Sequence, residues 1–228
     1  MSESKPSPLH WKPVPAPSPV TLRGRYVTLE PLDAQRHTQA LWQAVRGHDD
    51  LWTWMTDGPF ATEESLRQSL EQKQTGTAAV FLAIVPRETG VAAGYASYMR
   101  IDEGNGVVEV GNILLSPVLQ RTTAATEAMV LMAGHIFDYL CYRRYEWKCN
   151  AQNEPSRRAA LRLGFTFEGI FRQHMVIKGQ NRDTAWFSIL DHEWPARKRA
   201  FEAWLDPANF DGNGRQRQPL VQLSDSSS

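Results

Sequence analysis

The apolar positions of the chain change their spacing several times. Residues 21–29 alternate apolar and polar side chains and are rich in β-formers, which predicts a first strand. Asp33 can cap a helix running to about Gly47, and Thr62 a second one to about Gln74; a tryptophan-rich turn through Asp57-Gly58-Pro59 lies between them. Three strand-like runs follow at 79–86, 91–101 and 107–116, separated by short polar or glycine-bearing turns, as in an antiparallel meander. After Pro117 the period changes. Ala125, Met129, Met132, Ile136 and Leu140 step by four, three, four and four, forming one apolar face of a helix over 122–140. Residues 145–150 read as a short strand. Asn153 opens a helix with Glu154 and Pro155 in its first turn, and Gly164 ends it as a left-handed residue. Residues 165–178 and 183–190 predict two long strands joined around Gly179, and 195–205 a last amphipathic helix. The order is βααβββαβαββα. A strand–helix–strand crossover normally joins parallel strands, so the pattern predicts a mixed α/β fold with a mainly antiparallel, partly parallel sheet.

Composition narrows the setting. At 228 residues the chain suits one domain, placed at 21–208, with a disordered arm at 1–20 (six prolines) and a disordered tail at 209–228. Lysine plus arginine equals aspartate plus glutamate at 25 each, so recognition of an anion must be local, and neither nucleic acid nor membrane is an expected partner. The two cysteines, Cys141 and Cys149, have no zinc-ligand spacing and make no disulfide framework, and no metal is expected. No membrane-length apolar run or signal-peptide core is present, and the expected location is cytoplasmic.

The stretch from Val108 to Ala128 carries the chemistry. A strand enters a turn, the turn enters a helix, and the first helical turn holds small or hydroxylated residues, Thr122, Thr123, Ala124, Ala125 and Thr126. A helix start leaves backbone N–H groups unpartnered and favours negative charge. Arg121 adds a cation beside them. The same residues also suit an ordinary cap by Thr122 or Thr123. Other motifs lead nowhere. His192-Glu193 lacks the second histidine of a zinc protease helix, Gly212 and Gly214 precede no strand and helix, and Cys149 with His174 has no third partner.

This stretch resembles the acetyl-CoA pyrophosphate loop of the GNAT superfamily, Gln/Arg-x-x-Gly-x-Gly/Ala. Gln120 and Ala125 match its ends, and Thr123 replaces its first glycine. Three further blocks are similar to that superfamily. Asn153-x-x-Ser156 with Leu163-Gly164-Phe165 matches its later helix. The run through Gly169, Arg172, His174, Lys178, Arg182, Asp183 and Thr184, and the loop from Trp52 to Phe60, resemble the RimJ/RimL branch of ribosomal-protein N-terminal acetyltransferases. The resemblance covers about residues 21–195. It implies the GNAT acyl-CoA N-acyltransferase fold, with a parallel pair at the cofactor cleft and flanking helices. It also implies acetyl-CoA as cosubstrate and an amine acceptor, either a peptide N-terminus or a small amine. The alternative is a non-catalytic acyl-CoA-binding sensor or scaffold, and a homodimer is left open.

Acetyl transfer needs a neutral amine, a stabilised carbonyl oxygen, a proton for the leaving thiolate and alignment of both substrates. The resemblance assigns backbone groups of Ile113, Leu114 and Leu115 to the pantetheine arm and acetyl oxygen. It makes Ser156 the donor to the thiolate, or else a first-turn helix serine, and Asn153 a cofactor contact, an N-cap, or both. Glu109 is the leading candidate base, although a carboxylate with a reference pKa of about 4.3 needs burial or a water relay. His174, with a reference near 6.5, is the second. Arg172, Arg182 and Asp183 either bind the acceptor or orient strands. Trp52 and Trp54 either wall its groove or pack the core.

Overall fold

In the computed structural model, residues 9–212 and 214–220 are described. Strands β1 (Leu22–Arg23) and β2 (Val27–Pro31) lead into helix α1 (Ala34–Val45), a 3-10 turn at Asp49–Trp52 and α2 (Glu63–Thr75). The meander β3 (Ala79–Pro86), β4 (Gly94–Asp102) and β5 (Val107–Leu115) follows, then α3 (Thr123–Gly134), which passes into a π-helical turn at His135–Tyr139. The chain ends with β6 (Arg144–Asn150), α4 (Glu154–Arg162), the long strands β7 (Thr166–Ile177) and β8 (Gln180–Leu190), and α5 (Trp194–Leu205). One eight-stranded sheet runs β1-β2-β3-β4-β5-β6-β8-β7. Among the described residues its one parallel pair is β5 with β6, joined across α3.

Local chemistry sets the helix starts. Asp33 accepts from Arg36 N at 2.9 Å, and Thr62 and Ser65 form a reciprocal capping box. Burial explains the continuous apolar run of β3. Leu82 and Ile84 enter a core with α3 and α5, while Ala83 and Val85 enter a second core under α1 and α2. Farther across the sheet only one face is apolar. Val108, Val110, Tyr145, Trp147, Cys149, Ala185, Phe187 and Ile189 pack toward α3 and α5. Their strand neighbours Glu109, Glu146, Lys148, Thr184 and Ser188 point the other way, as the two-residue period of a strand requires. Glu127 fixes α3 to the first hairpin, its carboxylate accepting from the backbone N–H groups of Arg25, Tyr26 and Val27 at 2.8, 2.6 and 2.9 Å.

Three features differ from expectation. The first strand breaks into β1 and β2, because Gly24 N donates to Val27 O and closes a hairpin inside the alternating run. The single helix expected over 122–140 leaves α-geometry at His135. The flanking segments, expected to be disordered, lie on the body wherever they are described. Residues 9–20 carry no regular structure, in keeping with their prolines, yet Trp11 Nε1 donates to Gly104 O at 2.8 Å and its ring lies under Arg143. At the other end Asn209 bonds Trp204 O and Gln218 O, and Leu220 is 2% exposed in the core. Hydrophobic anchors within each segment offset the cost of ordering it. Residues 1–8, 213 and 221–228 of the expected arm and tail lie outside the described residues.

Candidate active site

The site begins where β5 leaves β6. Their pairing runs from Val107 with Arg144 to Val110 with Trp147 and stops there. Beyond it β6 continues to Asn150 on β8 alone, and β5 continues to Leu115 on β4 alone. A bulge turns the strand: Gly111 and Leu114 pair with Ser97 and Tyr95, so two residues of β5 oppose one of β4. Asn112 holds the bulge in a left-handed conformation (φ 51°), with its Nδ2 on Ser97 Oγ at 3.0 Å. Glycine is required at Gly94, where a Cβ would meet Leu114 O at 2.3 Å. The result is a gap in the sheet edged by the backbone of Ile113, Leu114 and Leu115, which no β6 residue pairs.

The gap opens onto the start of α3. Thr122 caps the helix, its Oγ1 accepting from Ala125 N at 3.1 Å. The backbone N–H groups of Arg121, Thr123 and Ala124 find no acceptor among the described residues. Arg121 is exposed with φ 61°, so its turn carries the chain into the helix. Gln120 Nε2 donates back to Leu115 O at 3.0 Å and ties the turn to β5. Thr126 is buried, and its Oγ1 accepts from Arg162 Nη1 of α4 at 3.2 Å. This start therefore combines an ordinary cap with free donors, as an anion site requires.

At the opening of α4, Asn153 is the N-cap, accepting from Ser156 N at 3.2 Å. Ser156 Oγ accepts from Trp147 Nε1 at 3.0 Å. A hydroxyl has one donor and two acceptor positions, so this bond occupies an acceptor and does not draw on the Ser156 proton. Cys149 is buried beside them. Burial pushes its thiol above the ordinary range, the Ser156 hydroxyl pulls it partly back, and the thiol stays protonated.

On the opposite sheet face lies a ladder of charges. Glu109 Oε2 takes Arg100 Nη1 at 2.8 Å and Lys148 Nζ at 3.0 Å. Lys148 reaches Glu146 at 2.6 Å, and Arg144 then links Glu146 at 2.7 Å to Glu168 at 2.7 Å. The Lys148 and Glu109 side chains are 3% and 4% exposed. Lys148 Nζ also sits 3.7 Å from the centre of the Trp186 ring, a cation–π contact that helps to hold a desolvated ammonium. Both cations on Glu109 use Oε2, and among the described residues no bond is found to Oε1. His174 shares this mouth. Its Nδ1 lies 2.9 Å from Thr184 Oγ1. Desolvation first, then Arg100, Arg182 and Lys148, hold the imidazole below its usual pKa, while Glu109 opposes them. The ring is therefore neutral at pH 7.

The remaining expected residues divide. Trp52 is 2% exposed and belongs to the second core, edge-on to Phe60 at 4.9 Å, with Gly58 so close that a Cβ would lie 2.5 Å from its ring. Its indole is thus core packing and walls no groove; only its carbonyl faces the hairpin, taking Lys178 Nζ at 2.9 Å. Trp54 is 36% exposed and presents its ring to solvent. Asp183 accepts from Gln173 N at 2.7 Å and Asn181 Nδ2 at 2.9 Å, which fixes the irregular β7 register and lowers its pKa. Arg172 is exposed, and Arg182 is half-buried two residues beyond Thr184, the partner of the last β6 residue. Sequence reasoning missed Lys148, Glu146, Trp147, Trp186 and Arg162. The first two had a signal, since Arg144, Glu146 and Lys148 alternate within an otherwise apolar strand.

A meander feeding a split parallel pair, with free helix N–H groups at the split, defines an acyl-transfer fold. The chain belongs to the GNAT family: residues 27–166 match the acetyltransferase (GNAT) domain, and the chain is an acetyltransferase. It is 30% identical over 112 residues to the uncharacterized N-acetyltransferase p20 of Bacillus licheniformis, a match covering 49% of this chain and 62% of that protein. A crystal structure of a GCN5-related N-acetyltransferase from Brucella melitensis is 48% identical, covering 95% of this chain and 99% of that one, with a TM-score of 0.93. The fold recurs at 21% identity and a TM-score of 0.63 in the Salmonella typhimurium acetyltransferase that modifies the N-terminal serine of ribosomal protein L7/L12, over 73% of this chain and 96% of that one.

Proposed function

We propose that this acetyltransferase moves the acetyl group of acetyl-CoA to a primary amine, a protein N-terminal α-amine or a small amine, by direct attack with both substrates bound. The observation that carries the reading is the unpaired edge of Ile113–Leu115 running into the free N–H groups of Arg121, Thr123 and Ala124. Acetyl-CoA would supply a thioester carbonyl and a diphosphate. The residues present fit both: N–H groups and Arg121 meet the diphosphate, and the β5 backbone meets the pantetheine arm and the carbonyl oxygen. Donors fixed in place before reaction stabilise developing charge without reorganisation. Ser156, its acceptor side occupied by Trp147, offers its proton to the departing sulfur.

On the other face Glu109 and His174 both accept. Glu109 Oε1 orients the amine or a water, while Arg100 and Lys148 hold the carboxylate. His174, neutral and hydrogen-bonded to Thr184, suits proton removal. An α-amine has a reference pKa of about 7.7–8.0 and is partly neutral at pH 7, so the demand on either base is modest. No metal takes part in the reading, a cytoplasmic location suits it, and a homodimer is compatible with it.

The test is thiol release from acetyl-CoA with a panel of amines and peptides, beside calorimetry of acetyl-CoA binding. Binding with thiol release supports an enzyme. Binding without release from any amine identifies a non-catalytic acyl-CoA sensor, a reading that Thr123 at the usual glycine position favours. Absence of binding removes both. Glu109→Gln and His174→Gln separate the bases, since loss of the true base also removes the acid limb of kcat.

A further inference from the structure

The charges across the open face of the sheet pair off in strict order. Arg100, Glu109, Lys148, Glu146, Arg144 and Glu168 alternate in sign and end at Ser188 Oγ, which donates to Glu168 at 2.7 Å. Three cations meet three carboxylates, and the ladder is neutral. Arg182 stands outside it. The last β6 residue, Asn150, pairs with Thr184, so Arg182 lies past the end of β6, within electrostatic reach of Glu109 and Arg100. Its guanidinium makes no salt bridge and no side-chain hydrogen bond among the described residues, and its Nε is buried without a partner. Asp183, its neighbour in sequence, is turned away to Gln173 N and Asn181. Burial holds the Arg182 pKa below its ordinary value; Cys149 and Glu109 oppose the shift, and Arg100 adds to it.

A half-buried guanidinium without a paired anion is costly, since no direct ion pair offsets its desolvation. Guanidinium geometry suits two-pronged recognition of a carboxylate. We propose that Arg182 receives a carboxylate of the acceptor, so that the amine acetylated is one that carries an acid group a few bonds away: a free amino acid, or a peptide N-terminus with an acidic residue at its second or third position. This rests on the acetyltransferase reading above. The two ends of such a molecule are opposite in charge, and so are the groups that face them. Its ammonium meets Glu109 Oε1 on arrival, and its carboxylate meets Arg182. The amine nitrogen, once neutral, bonds the acetyl carbon as the carbon–sulfur bond breaks. The nitrogen gives up one proton and the sulfur takes one, so an amide and free coenzyme A thiol are formed.

The experiment compares sister acceptors at saturating acetyl-CoA with the full chain. Free α-amino acids are set against their carboxamides, and peptides with Asp or Glu at the second or third position against the same peptides with Asn or Gln. The acid-bearing sister is expected to exceed the neutral one in kcat/KM by about tenfold or more, mostly through KM, the scale of one charge-assisted contact. Which pair shows the preference tells amino acid from peptide. In Arg182→Gln the ratio falls toward one, and Arg182→Lys restores part of it; a ratio within one preparation is indifferent to how much of the variant folds. Equal rates for charged and uncharged sisters in the native chain, or an undiminished ratio in Arg182→Gln, overturn the proposal while the acetyltransferase reading stands. Absence of thiol release with every amine overturns both.

Discussion

Replacing Lys148 with methionine keeps the length of the side chain and removes its charge. In the native chain Lys148 lies between Glu109 at 3.0 Å and Glu146 at 2.6 Å, over Trp186 and almost fully enclosed. Without it two buried carboxylates face each other, with Arg100 and Arg144 left on their outer sides. Removing one member of a buried ion pair typically costs about 3–5 kcal/mol. For a domain of this size that lowers Tm by roughly 6–20 °C. Urea unfolding of native and Lys148→Met chains at pH 7 should show this loss directly. Adding Glu146→Gln should recover about half of the loss, because neighbouring substitutions couple. A loss below about 1 kcal/mol, the scale of an exposed pair, would refute the picture of a buried ladder.

Three other outcomes are expected. Glu127→Gln should lower stability by about 3 kcal/mol in urea unfolding, because its amide faces three backbone donors with a single acceptor oxygen. His37 is held below its ordinary pKa of 6.5 by burial, then Arg36, against the pull of Glu30 and Asp33. Its contribution to stability is thus complete above that value and lost as pH falls through its lower folded pKa, so His37→Gln should flatten unfolding free energy between pH 7 and pH 5. Ser156→Ala should lower kcat about a hundredfold and Trp147→Phe by less, with little change in the KM for acetyl-CoA. If both alter only stability, Ser156 serves the helix and not the sulfur.

Local signals were legible in the sequence. Asp33, Thr62 and Asn153 act on N–H groups within three residues, so each helix start could be read from the chain. The bounds of β3 follow from an apolar run buried on both faces. Where a distant partner decides, the pattern misled. The turn between β1 and β2 is pinned by Glu127, about a hundred positions away, and nothing near Gly24 announces it. The anchoring of Leu220 and of the arm at Trp11 is equally non-local. Glu109, His174, Arg182 and the α3 start stood out as candidates by type and resemblance, whereas the ladder joining Glu109 to Lys148 and Glu146 exists only once β5 and β6 lie side by side. For Trp52 the sequence leaves both readings open, because a tryptophan in a loop announces neither core nor groove.

The end of the β5–β6 pairing divides two different landscapes, one on each face of the sheet. On one side lie the starts of α3 and α4, and on the other the charged face of Glu109 and Lys148. Under the proposed reading, donor and acceptor come from opposite directions and meet in the plane of the strands. Neither has to vacate for the other to enter, so arrival order is free of steric dictation. A single molecule joining both partners would have to thread the gap beyond that pairing end-on, and its narrowest allowable stretch is set by the distance over which the strands diverge.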